Sequence, residues 1–525
     1  MSKNSFSFHH IDSDTVMMYL KKSNAKKATG FDNIPGKILK LAHEPLSIPL
    51  TFLINSSISQ NVFPDDLKCA EVSPLFKKND NLNKLNYRPV SILTGISKIF
   101  ENVINDQTLE HFNSIFNKML SAFRKRYSCQ SLLLKFVEDV KRGIDKKQLA
   151  GAIFMDLSKA FDCLPHSLLV SKLHAYGMSM NACKLIGSYL SGRRQRVKIR
   201  ETRSEWNFLK KGVPQGSILG PLLFNIFIND MFYFVEKSVL YNFADDNSLL
   251  NVAPSLTELI SNLQHDSKLC MKWYSDNGMA ANPSKFQFMI CSSTDIKDVE
   301  LKINENVIIK SEPFVKALGV YIDSRLTFTE HVKRCCTKAA RQLNALTRIS
   351  RYLSLQSKKQ IFRSFILSNF TYCSLVWHFC GATNNSKIEK IQERALKIVY
   401  SDYNSEYNEL IAKFGTDTML LLRLKSIVLE VCKSLKHANP VYIQDIFINK
   451  DQPYDLRNPH LLVQKKTNSV NFGLRSFGYL ASKIWNDLPA RFKDIDISDV
   501  DVSVFKSQLK GWTGPNYEVS QNPFL

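Results

Sequence analysis

A chain of 525 residues is too long for one ordinary hydrophobic core, so about two to four subdomains are expected. Hydrophobic residues at 44%, charged residues at 22% and aromatic residues at 11% exclude a disordered or fibrous polymer. Seventy Lys and Arg against 48 Asp and Glu leave a formal charge of +22, which points to a polyanionic partner, either nucleic acid or an anionic membrane surface.

The basic residues are spread along the chain, with small clusters at residues 21–27, 124–126 and 193–200. Spread charge suits a long groove that tracks a phosphate backbone, although a solvated basic surface would read the same way. Eleven Cys include no C-x-x-C pair, so no zinc site is expected. Their odd number, with a polar N-terminus over residues 1–14, predicts reduced thiols in an intracellular protein. No apolar run reaches the roughly 18 residues of a membrane span.

Residues 15–41 read as helical, broken at Gly30 and Pro35, and 46–58 as an apolar helix. A strand over 70–77 turns basic at Lys77-Lys78. Asn86-Tyr87-Arg88-Pro89 reads as a loop, and 92–109 as an apolar helix. From Gly151 the pattern changes. Residues 151–157 form a short apolar strand carrying Asp156, followed by a helix near 168–176 and a polar hairpin over 197–209. Gly216-Ser217 opens a helix over 217–231. Residues 239–251 read as two strands joined at Ala244-Asp245-Asp246, then a helix over 256–277 and a strand over 285–291. Beyond 314–322, apolar residues recur at helical spacing over 329–352, 356–373 and 387–400. Residues 404–525 are mixed and of separate character, and no internal repeat is visible. The whole predicts an α+β fold with helices on one sheet face.

Two segments offer carboxylates in apolar surroundings. Phe154-Met155-Asp156-Leu157 ends a strand in one, and Phe243-Ala244-Asp245-Asp246 places two at a hairpin turn. Transfer of a nucleotidyl group from a triphosphate to a hydroxyl needs such a set, because the paired Mg²⁺ ions that activate the hydroxyl and steady the triphosphate take hard carboxylate oxygens. An Asp-Asp turn alone also serves hairpin geometry. Between the two segments lies Gly212-Val213-Pro214-Gln215-Gly216-Ser217-Ile218-Leu219-Gly220-Pro221-Leu222-Leu223-Phe224. In order and spacing the three segments strongly resemble the reverse transcriptases of non-LTR, LINE-type retrotransposons, the jockey-like group especially. The likeness runs over roughly residues 21–350, including Lys26-Lys27-Ala28-Thr29-Gly30-Phe31-Asp32 and Ala317-Leu318-Gly319-Val320, which is similar to a primer-grip hairpin.

The resemblance implies a right-hand polymerase: an N-terminal helical extension (1–60), fingers (61–150), a palm with an antiparallel sheet and helices on one face (151–312), a primer-grip hairpin with helical thumb (313–400) and a C-terminal region (401–525). It implies an RNA-directed DNA polymerase with an RNA template, a DNA primer or target, deoxynucleoside triphosphates and two Mg²⁺ ions, replaceable by Mn²⁺. Asp156, Asp245 and Asp246 correspond to the metal-binding aspartates, with Asp245 the more direct ligand, and the Leu157 carbonyl adds a contact. Phe161 falls at the family's steric gate, although a core Phe would look the same; Asp162 is structural. Gln215 and Gly216 resemble the segment meeting the incoming nucleotide, with a plain helix-entry turn as the alternative. Arg88 resembles the triphosphate-gripping arginine, assisted by Lys77 or Lys78. Lys285 resembles a lysine that protonates leaving pyrophosphate; a surface lysine is the alternative.

Leu474-Arg475-Ser476-Phe477 and Lys483-Ile484-Trp485-Asn486-Asp487-Leu488-Pro489 resemble the tail of such elements, with no activity assigned. Relatives of this group usually begin with an endonuclease domain. The chain starts just before the fingers, so that domain is expected to be missing, and no Cys-His knuckle is seen. The family implies work in the nucleus or cytoplasm. A decayed or domesticated RNA-binding protein is the alternative from another class, and an RNA-dependent RNA polymerase is disfavoured by Phe161 and by the long match over 212–224. Oligomeric state and template specificity are left open.

Overall fold

The computed structural model describes residues 5–158, 160–450, 461–493 and 501–515. Lys159, inside the 154–162 motif, and parts of the expected 401–525 region lie outside the described residues. Three helices open the chain: α1 (Ser13–Lys21), α2 (Gly36–Leu41) and α3 (His43–Gln60). Gly30 and Pro35 fall in the break between α1 and α2, as expected. Strands β1 (Cys69–Phe76) and β2 (Tyr87–Ile92) pair antiparallel. The loop expected at 86–89 is thus corrected: Tyr87, Arg88 and Pro89 are ladder residues of an edge strand, a position that tolerates proline. Helix α4 (Gly95–Phe112) starts later than its apolar run, because Thr94 caps it by accepting from the Ser97 N–H.

Helix α5 (Cys129–Asp145) goes beyond the expected elements; Glu138, Asp139, Lys141 and Arg142 interrupt its apolar run. There follow β3 (Leu149–Ser158), α6 (Ala160–Cys163), α7 (His166–Ala175) and a further unexpected helix, α8 (Met180–Leu190). The polar hairpin region is β4 (Arg194–Ile199), β5 (Thr202–Arg203) and β6 (Asn207–Phe208). Helix α9 (Leu219–Ile228) is shorter than expected and passes into a 3₁₀ turn, Asn229–Tyr233. Next come β7 (Val239–Phe243), β8 (Asp246–Ala253), α10 (Leu256–Asp276), β9 (Ala280–Ala281) and β10 (Gln287–Cys291). Two hairpins follow, β11 (Glu300–Asn304) with β12 (Val307–Lys310), and β13 (Phe314–Ala317) with β14 (Val320–Asp323). Then come α11 (Thr329–Ile349), α12 (Leu355–Ile361), α13 (Ser368–Thr371) and α14 (Ala382–Tyr400). The single helix expected over 356–373 is divided by a π-turn, Phe362–Leu367. The C-terminal region holds α15 (Tyr407–Phe414), α16 (Met419–Leu435), α17 (Val441–Gln444), α18 (Phe477–Asn486), α19 (Ala490–Lys493) and α20 (Val502–Gln508). The α+β class expected from the sequence is what the chain adopts.

Two compact units interleave along the chain. The first comprises Met1–Phe123, Asp156–Val235 and Leu269–Asn282. Its sheet runs β2-β1-β4-β5, with β6 also on β4. Glu71, 2% exposed, is met by Arg196, Lys198 and Arg203 at 2.6, 3.2 and 3.0 Å, and that company makes its burial tolerable. The rings of Phe63, Phe100 and Tyr189 meet edge-on in the core below.

The second unit comprises Arg124–Met155, Glu236–Lys268 and Pro283–Leu525. Its sheet runs β10-β3-β8-β7. Gly151 of β3 lets α10 come close, since a Cβ there would lie 2.8 Å from Leu263, and Gly143 of α5 does the same against Val252 of β8 at 2.6 Å. On one side of α5, Asp139 accepts from the Tyr241 hydroxyl of β7 and is paired with Lys135 and Arg142. The other side carries the tail. Glu138 accepts from the Phe477 and Gly478 amides at 2.9 and 3.2 Å, Lys141 donates to the Arg475 carbonyl at 2.6 Å, and Asp145 accepts from the Ser469 hydroxyl at 2.6 Å. The segment around 474–477 therefore fastens α18 to α5. Among the described residues no helix is long and apolar enough to cross a membrane.

His331 of α11 is 4% exposed and takes the Tyr321 N–H on its ring Nδ1 at 3.3 Å. Burial pushes its pKa down to about 4 from 6.5. A depressed folded value stabilises the fold above pH 6.5 and loses that contribution as pH falls toward 4. The contribution is about 3 kcal/mol. The melting temperature of wild type should therefore fall more steeply between pH 6.5 and 4 than that of His331→Asn. Parallel pH profiles of the two proteins would contradict the assignment.

Candidate active site

The hairpin β7–β8 closes through a two-residue turn, Ala244-Asp245, with Phe243 paired to Asp246. Ala244 has φ 56°, a left-handed conformation that costs an L-residue about 1 kcal/mol. Buried amides hold it. Asn242, fully buried, donates through Nδ2 to the Ala244 carbonyl and to Asn247 Oδ1, both at 2.8 Å. The turn is thereby fixed with Asp245 half-buried and Asp246 exposed. Strand β8 opens at Asp246 and lies beside β3, which carries Asp156 near its end. Asp156 is half-buried, and its carbonyl accepts from the Asn282 N–H at 3.1 Å. Leu157 is buried and pairs with Ala281. Among the described residues, no group of three or more His, Cys, Asp or Glu side chains is gathered so as to hold a metal ion.

In the first unit, residues 212–218 are clamped from several sides. The Gly212 and Val213 amides donate to the Leu164 and Phe161 carbonyls at 2.8 and 2.9 Å. The Gln215 carbonyl accepts from Ser91 N–H of β2 at 2.7 Å, and Gln215 Nε2 donates to Asp162 Oδ1 at 2.9 Å. Gly216, at φ +111°, would put a Cβ 2.7 Å from the Ser91 carbonyl oxygen. Only glycine suits that backbone and that distance. Asp162 thus has a definite task, the orientation of Gln215. Phe161, half-buried, stacks on Phe224 at 4.5 Å with 16° between planes and meets Phe123 edge-on at 6.0 Å. The structure therefore brings Phe161, Asp162, Gln215 and Gly216 to one place. Arg88 is exposed on β2, three residues before Ser91, about 10 Å along the strand. Lys77 and Lys78 are exposed just after β1, and Lys77 N–H bonds the Asn86 carbonyl at 2.8 Å.

In the second unit, Lys285 is exposed in the 3₁₀ turn Pro283–Lys285 before β10. The β13–β14 turn has φ 44° at Leu318 and 85° at Gly319, the pair of positive values a two-residue hairpin wants. Tyr372 donates to the Leu318 carbonyl at 2.7 Å. Beside this turn lies a cavity of about 560 Å³ whose lining includes Lys316, Lys333, Arg334, Lys338 and Arg341.

Sequence reasoning missed three residues of weight: Asn242 and Asn247 beneath the acidic turn, and Glu101 of α4. Asn242 and Glu101 each interrupt an apolar run, where burial without a partner is costly, but Asn247 follows two aspartates and carries no such mark, and the partners of all three are set only by the fold. Replacing Gly216 by Ala should lower the stability of the first unit by about 2 kcal/mol. Chemical denaturation followed by tryptophan fluorescence measures this, and an unchanged midpoint would show that the tight approach to Ser91 is wrong.

Residues 76–322 match the family model described as "Reverse transcriptase (RNA-dependent DNA polymerase)". The chain is 27% identical over 408 residues to the "Probable RNA-directed DNA polymerase from transposon BS" of Drosophila melanogaster, covering 74% of this chain and 44% of that protein. It is likewise 27% identical over 398 residues to the "RNA-directed DNA polymerase from mobile element jockey" of Drosophila funebris, covering 73% and 43%. The chain thus spans less than half the length of these relatives. A solved telomerase from Candida albicans, in complex with a fragment of telomeric RNA, is similar at 13% identity over 70% of each chain, with a TM-score of 0.38. Residues 76–322 are thus similar to reverse transcriptases, and among the curated relatives to the polymerases of the BS and jockey mobile elements.

Proposed function

We propose that the chain is an RNA-directed DNA polymerase that extends a primer 3′-hydroxyl on an RNA template by two-metal nucleotidyl transfer. One observation carries the reading: a turn bearing Asp245 and Asp246 opens β8, the sheet neighbour of the strand that bears Asp156. Reverse transcriptases work with divalent metal ions. The donor set here is carboxylate oxygen throughout, which suits hard cations such as Mg²⁺. Such an ion is held by one or two carboxylates, with water and substrate phosphates completing its shell, so a three-residue cage preformed by the protein alone is not required. When bound, the pair activates the attacking hydroxyl and neutralises charge growing on the triphosphate.

In this reading Asp156, the Leu157 carbonyl, Asp245 and Asp246 hold the two ions. Arg88 grips the triphosphate through its planar fork, aided by Lys77 or Lys78. Gln215 and Gly216 meet the incoming nucleotide, and Phe161 stands where a ribose 2′-hydroxyl would clash. Lys285 delivers a proton to departing pyrophosphate. Residues 61–150 serve as fingers, 151–312 as palm and 313–400 as primer grip and thumb. The charge of +22 supports RNA and DNA as partners, and the resemblance to retrotransposon polymerases points to the nucleus or cytoplasm as the place of work.

Primer extension on a poly(A) template with Mg²⁺ tests the reading. Wild type should incorporate deoxynucleotides, and Asp245→Asn should lose roughly a thousandfold in kcat, about 4 kcal/mol of transition-state stabilisation. Undiminished synthesis by Asp245→Asn would remove that residue from the metal set. No synthesis by wild type, with template binding unchanged in Asp→Ala variants at 156, 245 and 246, would favour an RNA-binding protein instead. Phe161→Ala should raise relative ribonucleotide use at least roughly tenfold, about 1.4 kcal/mol of discrimination. Unaltered sugar selectivity would assign Phe161 to packing alone.

A further inference from the structure

Glu101 lies in the middle of α4 on its buried stripe with Ser97, Ile104 and Thr108, and is 0% exposed. A carboxylate in that position is expensive unless several donors meet it. Two hydrogen bonds are in place. Glu101 Oε2 accepts from the Ile218 backbone N–H at 2.7 Å, and Oε1 accepts from the Tyr189 hydroxyl at 2.8 Å. The buried Arg193, 1% exposed, donates to the Tyr189 carbonyl at 3.0 Å and lies over the Tyr189 ring at 4.6 Å. Burial pushes the Glu101 carboxyl upward, against the opposing charge of Arg193.

The Ile218 amide is no ordinary donor. It is the N-cap residue of α9, and no side chain of that residue caps the helix. An N-terminal amide of a helix carries partial positive charge and normally needs a local acceptor. Here the acceptor comes from α4, 117 residues earlier in the chain. Gln215 and Gly216 lie three and two residues before that amide. Their far side is held by Ser91 and Asp162. The segment is thus fixed at both ends, at one end by β2 and α6, at the other by Glu101.

We infer that Glu101 is a positioning residue for deoxynucleotide binding: its carboxylate caps α9 and so sets Gln215 and Gly216 where the incoming nucleotide is bound. This rests on the proposed polymerase reading of that segment. The role of Glu101 is indirect, since it reaches the nucleotide only through residues 215–218. Tyr189 and Arg193 in turn hold Glu101.

Two measurements on the full chain separate the inference from the reading it rests on. In steady-state primer extension, Glu101→Leu should raise KM for deoxynucleotide roughly tenfold, with kcat changed by less than about twofold. Glu101→Gln, which keeps one acceptor for the Ile218 amide, should recover most of that loss. Tyr189→Phe, which keeps the ring and removes one donor, gives a KM rise of roughly twofold to threefold and serves if Glu101→Leu fails to fold. Independently of activity, hydrogen–deuterium exchange of the peptide over 212–220 should accelerate in Tyr189→Phe and Glu101→Leu and stay near wild type in Glu101→Gln. Unchanged exchange and unchanged KM in the folded variants would overturn the inference. Accelerated exchange in a protein whose wild type makes no DNA would uphold the cap and sink the polymerase reading.

Discussion

A carboxylate that is to receive a cation must be aimed before the cation arrives, in surroundings apolar enough to make the later attraction strong. Those two demands conflict, because apolar surroundings penalise the bare charge. In the proposed reading that conflict is met at a two-residue turn. Asn242, itself held by Asn247 and buried like it, ties down the carbonyl of Ala244, whose backbone is left-handed, and the turn leaves Asp245 half-buried and Asp246 exposed. The amides carry no charge of their own and therefore fix the turn without neutralising the aspartates.

The same device recurs elsewhere with carboxylates as the holders. Glu101 caps α9, Glu138 caps the start of α18, and Glu389 accepts from the Met419 and Leu420 amides at the start of α16. In each case a glutamate from one helix satisfies exposed amides of another, far away in sequence. Such caps join elements with directional bonds where apolar packing alone would allow sliding. In the second unit they also explain the tail: residues 469–478 grip α5, whose opposite side holds β7 through Asp139 and Tyr241. The tail is thus two contacts removed from the acidic turn.

What was legible in the sequence was local. The hairpin at Ala244-Asp245-Asp246, the strand carrying Asp156 and the turn before α9 each declare themselves within a few residues, through periodicity and turn chemistry. The order of the three motifs then carried the family. Illegible features depend on partners far apart. Glu101 meets Tyr189 and Ile218 across 88 and 117 positions, and Glu138 meets Gly478 across 340. The charged residues of α5 look solvated in sequence, yet Glu138, Lys141 and Asp145 bind the tail and Asp139 binds β7. Residues 86–89 were misread for a related reason: Asn, Arg and Pro speak for a loop, while pairing with β1, a tertiary fact, makes a strand.

The central claim is that Asp156 and the Asp245-Asp246 turn clasp the same ions. Replacing Mg²⁺ by Fe²⁺ in the presence of template, primer and deoxynucleotide, then adding ascorbate and peroxide, generates hydroxyl radicals at the bound metal. Backbone cleavage should appear at two places together, near residue 156 and near residues 245–246, and both cuts should vanish with excess Mg²⁺. Cleavage near only one of these segments, or at neither, would contradict a shared metal site.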